Sequence, residues 1–244
     1  MESTRKDARE SIALLLWASV ATLALWFVPY VGFVLYPIRL LVTYVHEICH
    51  ATAALLTLGW PNSIELFWDA GGLTFSTGGI RPIVSAAGYL GTPLVGAALL
   101  LLAARLRTVR AALVGLGAVV LTATVLLAGN WLAWLAGLAL GPALVIAGAV
   151  ARPRAARFLL SFLAIQCMLG AVGDLRTLLY LSVAQPEIAT DAQSMAQFTG
   201  GLVPAMVWTV LWMATALATL AVALRAYYNL VLVPKGPRAL DRFA

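Results

Sequence analysis

"IRLLVTYVHEICHATAALLTL", residues 38–58, is the stretch on which the fold turns. As an α-helix it would extend about 30 Å, the thickness of a bilayer's hydrocarbon core. Yet it carries His46, Glu47 and His50, and an ionisable side chain near the bilayer centre costs about 2.5–3.5 kcal/mol on insertion scales. A chain that tolerates this cost inside an apolar helix needs those groups for something.

The rest of the chain agrees with a membrane setting. Of 244 residues, 62% are hydrophobic and 11% charged, where a soluble domain carries about 25% charged. Further apolar runs at roughly 12–33, 82–103, 111–128, 131–150, 158–183 and 201–225 are each near spanning length. The reading is an all-α integral membrane protein: a polytopic bundle of about 6–7 transmembrane helices. The N-terminal MESTRKDARE precedes an apolar run too long for a signal peptide's core, so that run is taken as a first membrane helix. No internal repeat is present. The whole chain, 1–244, reads as a single membrane-embedded domain with a polar N-tail (1–10) and a C-terminal tail (227–244) anchored at the interface by Tyr227 and Tyr228, or disordered.

The net charge of +6 does not point to nucleic acid, because the basic residues sit in short clusters between apolar runs. Seven spans put Arg105, Arg107 and Arg110, Arg152, Arg154 and Arg157, and Lys235, Arg238 and Arg242 on one side, which the positive-inside rule makes cytoplasmic. Arg5, Lys6 and Arg9 then fall on the opposite side, against the same rule, so either one segment does not span or the N-tail yields to the larger count. Cys49 and Cys167 lie in apolar segments and suggest no disulfide. Between the second and third spans, residues 59–81 alternate: Ile64, Leu66 and Trp68 share one face, then Leu73, Phe75 and Thr77 follow a turn at Asp69-Ala70-Gly71-Gly72. This predicts one short β-hairpin after the second helix, at the membrane face.

His46, Glu47 and His50 form H-E-x-x-H. On a helix, positions four apart lie about 40° round and 6 Å along the axis, so both imidazoles can reach one metal ion. Glu47, about 100° further round, is placed to bond a water rather than the metal. These are the chain's only 2 histidines. A catalytic zinc takes three protein ligands, so the third must be a carboxylate or a cysteine. Only Glu47 and Asp174 among the acidic residues lie well inside apolar segments, and Gly170 and Gly173 beside Asp174 permit close helix approach. Elimination therefore predicts His46, His50 and Asp174 as ligands, against an alternative ion pair of Asp174 with Arg176. Cys49 points away from His50 and reads as a packing residue. Asn130, between two spans, reads as a helix cap.

These stretches resemble the site-2-protease-type membrane metallopeptidases, most closely their compact M50B-like bacterial branch. The resemblance rests on "HEICHATAALLTLG", the hairpin-like stretch, "STGGIRPIVSAAGYLGTPLVGAALLLL", "GDLRTLL" and "TDAQSMAQFTGGLVPAMVWTVLW", from about residue 40 to 225. It implies a helical membrane bundle, a Zn2+ cofactor, and hydrolysis of peptide bonds in transmembrane or membrane-proximal protein substrates. Carried over, His46, His50 and Asp174 become zinc ligands and Glu47 the catalytic acid/base. One departure is Gly173-Asp174, where better-characterised members have Asp-Gly. The expected location is a bacterial inner membrane, with the lipid bilayer as the surrounding partner. A non-proteolytic protein with a structural zinc site or scaffold role is the alternative, and a metal transporter a third reading. Glu47 discriminates, since a structural site has no use for an acid/base beside its metal.

Overall fold

The computed structural model describes residues 10–20, 32–184 and 188–232. The elements in chain order are α1 (Glu10–Val20), α2 (Gly32–Leu56), β1 (Trp60–Leu66), β2 (Gly72–Thr77), α3 (Arg81–Ala103), α4 (Leu106–Leu127), α5 (Trp131–Val150), α6 (Pro153–Ala184), α7 (Asp191–Phe198) and α8 (Ala205–Leu232). Among the described residues, five helices are long and apolar enough to cross a membrane: α3, α4, α5, α6 and α8. α2, at 25 residues, is also of spanning length. The chain is thus a multi-pass helical membrane bundle with one antiparallel hairpin, as the sequence predicts. The expected first span, 12–33, is described only in part.

The apolar faces meet in three clusters. Leu100, Val109, Leu113, Leu160, Leu163 and Met168 belong to the largest, which ties α3, α4 and α6 to α2 and α8. Ile64 and Leu66 of β1 pack with Tyr44 of α2 and with Leu132, Ala133 and Ala136 of α5. The third joins α7, through Ala192, Met195 and Ala196, to α6 and α8. Small residues let helices close up: a Cβ on Gly117 of α4 would stand 2.6 Å from the Gly141 carbonyl oxygen of α5.

The hairpin is where the sequence predicts it, after the second helix. Leu58 turns the chain in the left-handed region (φ 62°), the Gly59 N–H donates to the Ala54 carbonyl at 2.7 Å, and the strands fold back along α2. The Ile80 N–H donates to Thr57 Oγ1 at 3.0 Å. Thr74 meets Glu47 at 2.7 Å, Thr43 donates to the Ala70 carbonyl at 2.6 Å, and Arg39 donates to the Asp69 carbonyl at 3.3 Å. From Thr57 to Arg39 is about 27 Å of helix. Arg39, Thr43 and Glu47, spaced four apart, form one stripe that holds the hairpin.

A strand edge within a membrane protein needs partners or water. The outer edge of β1 has partners. The Gly129 N–H donates to the Ile64 carbonyl at 2.8 Å, and the Asn130 side chain bonds the Leu66 carbonyl at 2.8 Å and its N–H at 3.3 Å. Asn130 also caps α5 through the Ala133 N–H at 2.9 Å, so it is both the cap expected and a surrogate strand partner. β2 differs. The Phe67 N–H bonds the Gly71 carbonyl, and residues 63–66 pair in register with 75–72. Antiparallel alternation then turns the backbone groups of Gly72, Thr74 and Ser76 away from β1. No described group pairs with them.

Two expectations about the ends are corrected. Glu10 pairs with Arg154 at 2.6 Å, and Ser11 accepts bonds from Arg157 and, through its carbonyl, from the Tyr227 hydroxyl. The start of α1 therefore lies at the bundle end that carries the Arg152–Arg157 cluster, not at the opposite end. The described part of α1 runs from Glu10 to Val20. Tyr227 is buried within α8 rather than lying in an interfacial tail. Residues 233–244 lie outside those described.

Candidate metal and proteolytic site

His46, Glu47 and His50 are all buried on α2. Their one-face spacing brings the two Nε2 atoms within 3.0 Å. The carboxylate that joins them is Asp191, in the first turn of α7, with Oδ2 at 3.4 Å from His50 Nε2. Among the described residues, His46, His50 and Asp191 are the group that could hold a metal ion, with ligand atoms all within 4.8 Å of one another. Two ligands about 2.0–2.1 Å from a tetrahedral ion stand about 3.3 Å apart, close to the two shorter separations.

Asp174, the third ligand expected from the sequence, is not part of that group. It is exposed on α6 and lines the same cavity, one turn before Thr177 and Leu178. No ion pair joins it to Arg176. The physical reason for the difference lies after α6. The chain re-enters as the short helix α7, capped by Thr190, whose Oγ1 accepts from the Gln193 N–H at 3.2 Å. Ala192, Met195 and Ala196 bury one face of α7, which turns Asp191 inward. A search confined to long apolar runs excludes Asp191. The signals that could have found it are the Thr190 cap and the i, i+3, i+4 apolar spacing of that face. Both cysteines are free. Cys49 packs against Gly91 of α3, as a packing residue would.

The surroundings fit a metal. His50 Nδ1 lies 2.6 Å from the Val84 carbonyl, so it donates there, which in the neutral imidazole leaves Nε2 free to bind a metal. This is the usual outer support of a metal-bound histidine. Gly88, one turn along α3 from Val84, faces both imidazoles, and a Cβ there would overlap both Nε2 atoms. The space is kept open by the absence of a side chain. Gly88→Ala should strain the site by about 1–3 kcal/mol, which is roughly 5- to 150-fold in zinc affinity. Competition with a chromophoric chelator would measure it, and unchanged affinity would show that the space is not needed.

Glu47 stands beside this trio. Its Oε2 accepts from the Thr74 hydroxyl at 2.7 Å, which also bonds the Glu47 carbonyl at 3.0 Å. β2 passes close only because residue 72 is glycine: a Cβ there would stand 2.7 Å from Glu47 Oε1. The site opens into a cavity of about 820 Å³. Along it lie the metal-site residues, consecutive residues of β2, Tyr89 of α3, Asp174 of α6, and Arg39 and Arg81. This supplies the polar, water-accessible space that a strand edge and an ionisable cluster require in a membrane protein.

No curated protein and no solved structure matches the chain. A family's sequence model does, over residues 15–223, and the stretch it matches contains the histidine helix, the hairpin and α7. The chain belongs to the peptidase M50B-like family.

Proposed function

We propose that this protein is a zinc-dependent endopeptidase that hydrolyses peptide bonds of transmembrane or membrane-proximal protein segments, in the cell membrane of a bacterium. The observation that carries the reading is a buried glutamate beside a metal-capable trio, in an open cavity bordered by an unpaired strand edge. A structural zinc site has no use for Glu47 or for the opening.

On this reading His46 and His50, through Nε2, and Asp191, through a carboxylate oxygen, hold the zinc. Zinc, when bound, supplies Lewis-acid activation of water and of the scissile carbonyl. Glu47 takes a proton from the attacking water at Oε1, which no described group hydrogen-bonds, and passes it to the leaving amide nitrogen. Thr74 fixes the other oxygen and so the carboxylate's orientation. Asp174 lines the cavity without binding metal.

A helix hides its peptide bonds, so a spanning substrate must be extended before attack. The outward N–H and C=O groups of Gly72, Thr74 and Ser76 support a role for β2 in holding that extended segment by strand addition. Ser76→Pro removes one outward N–H and no bond to β1, a substitution an edge strand tolerates. Loss of one hydrogen bond, about 0.5–1.5 kcal/mol, predicts cleavage slowed roughly two- to tenfold with zinc content unchanged. Unslowed cleavage would remove the strand from the account. The reading as a whole is tested in proteoliposomes, against a panel of single-span reporter segments. Cleavage that stops on chelation and returns with zinc supports it. A zinc-loaded protein that cleaves no member favours a scaffold.

A further inference from the structure

The two histidines are supported unequally. His50 has the Val84 carbonyl on its Nδ1. Among the described residues, His46 has no hydrogen-bond partner besides His50. What it has is Tyr89. The two rings are perpendicular (88°) with centroids 4.6 Å apart, the edge-to-face arrangement that aromatic pairs prefer. Tyr89 is itself fixed from behind, stacked on Trp212 of α8 at 5.2 Å and 11°. Trp212 is buried in the cluster that also docks α7. Val84 and Gly88 lie one turn apart on α3 and Tyr89 follows Gly88 directly, so one helix serves the metal site in three ways: an acceptor for His50, room for the ion, and a ring against His46.

We propose that Tyr89, backed by Trp212, is the positioning residue for His46, with ring packing replacing the usual outer hydrogen bond of a metal-bound histidine. The proposal rests on the zinc site described under Proposed function. An imidazole free to rotate about its side-chain bonds must be ordered each time it binds. A packed ring removes that cost, as outer-shell hydrogen bonds do elsewhere.

The test uses the full chain in detergent, with zinc affinity from chelator competition and the visible spectrum of the cobalt-substituted protein. Tyr89→Leu keeps apolar volume and removes the ring. Tyr89→Phe keeps the ring. Met213→Ala loosens the same core cluster without touching His46. The expected result is zinc affinity about 10- to 100-fold weaker in Tyr89→Leu, the range for loss of outer-shell support, with an altered cobalt spectrum. Tyr89→Phe and Met213→Ala should stay within about twofold of wild type, although Met213→Ala lowers the unfolding temperature. Wild-type affinity in Tyr89→Leu would overturn the proposal. So would a loss in Tyr89→Phe as large as in Tyr89→Leu, which would assign the effect to the hydroxyl, or an equal loss in Met213→Ala, which would assign it to general loosening. If these occur while wild type binds one zinc, the metal site stands and only the role of Tyr89 falls. If wild type binds no zinc, both fall.

Discussion

Glu47→Gln is expected to reduce peptide hydrolysis by about 10²- to 10⁴-fold, the contribution of a positioned acid/base, while leaving zinc content at the wild-type level. The substitution preserves size and the acceptor for Thr74, since the amide oxygen can take the place of Oε2. It removes only the capacity to take a proton. Glu47 is not among the side chains placed to hold the ion, so the metal should stay. Parallel measurement of zinc content and reporter cleavage in proteoliposomes separates the two properties. Full activity in Glu47→Gln would leave the buried carboxylate without the role assigned to it. Loss of zinc together with activity would mean that Glu47 is itself a ligand.

The second large effect concerns the third ligand. Asp191→Ala is expected to weaken zinc binding by more than about 100-fold, beyond the range for losing an outer-shell partner, because it removes a direct ligand and opens a second coordination position. Asp174→Ala is expected to leave zinc affinity unchanged, because Asp174 stands outside the ligand group although it faces the same cavity. The contrast is informative because both carboxylates border one space: the sequence points to Asp174, and the structure groups Asp191 with the two histidines.

The reason lies in what local pattern can carry. H-E-x-x-H is a one-helix property: helical periodicity alone sets His46 and His50 on one face with Glu47 beside them, and the structure keeps that arrangement. The apolar runs likewise predict the long helices, because the bilayer fixes their length. The alternation of Ile64 and Leu66 against polar neighbours predicts strands, since pleating is also local. What local pattern does not encode is the direction in which a loop returns. The hairpin lies along α2 because Arg39, Thr43 and Glu47 form a stripe of hydrogen-bonding groups, and because Asn130, far away in sequence, closes the outer edge of β1. Asp191 reaches His50 because a polar segment after α6 folds inward as α7 and buries Met195 against α8. Asp191 lies outside every long apolar run. A short capped helix can bring a carboxylate inward from a connecting segment.

The measurement that tests the account most directly is zinc stoichiometry after metal-replete purification in detergent, for wild type, Asp191→Ala and Asp174→Ala side by side. The account predicts about one zinc per chain in wild type and Asp174→Ala, and essentially none in Asp191→Ala after dialysis. Zinc retained in Asp191→Ala and lost in Asp174→Ala would contradict the site built on α7.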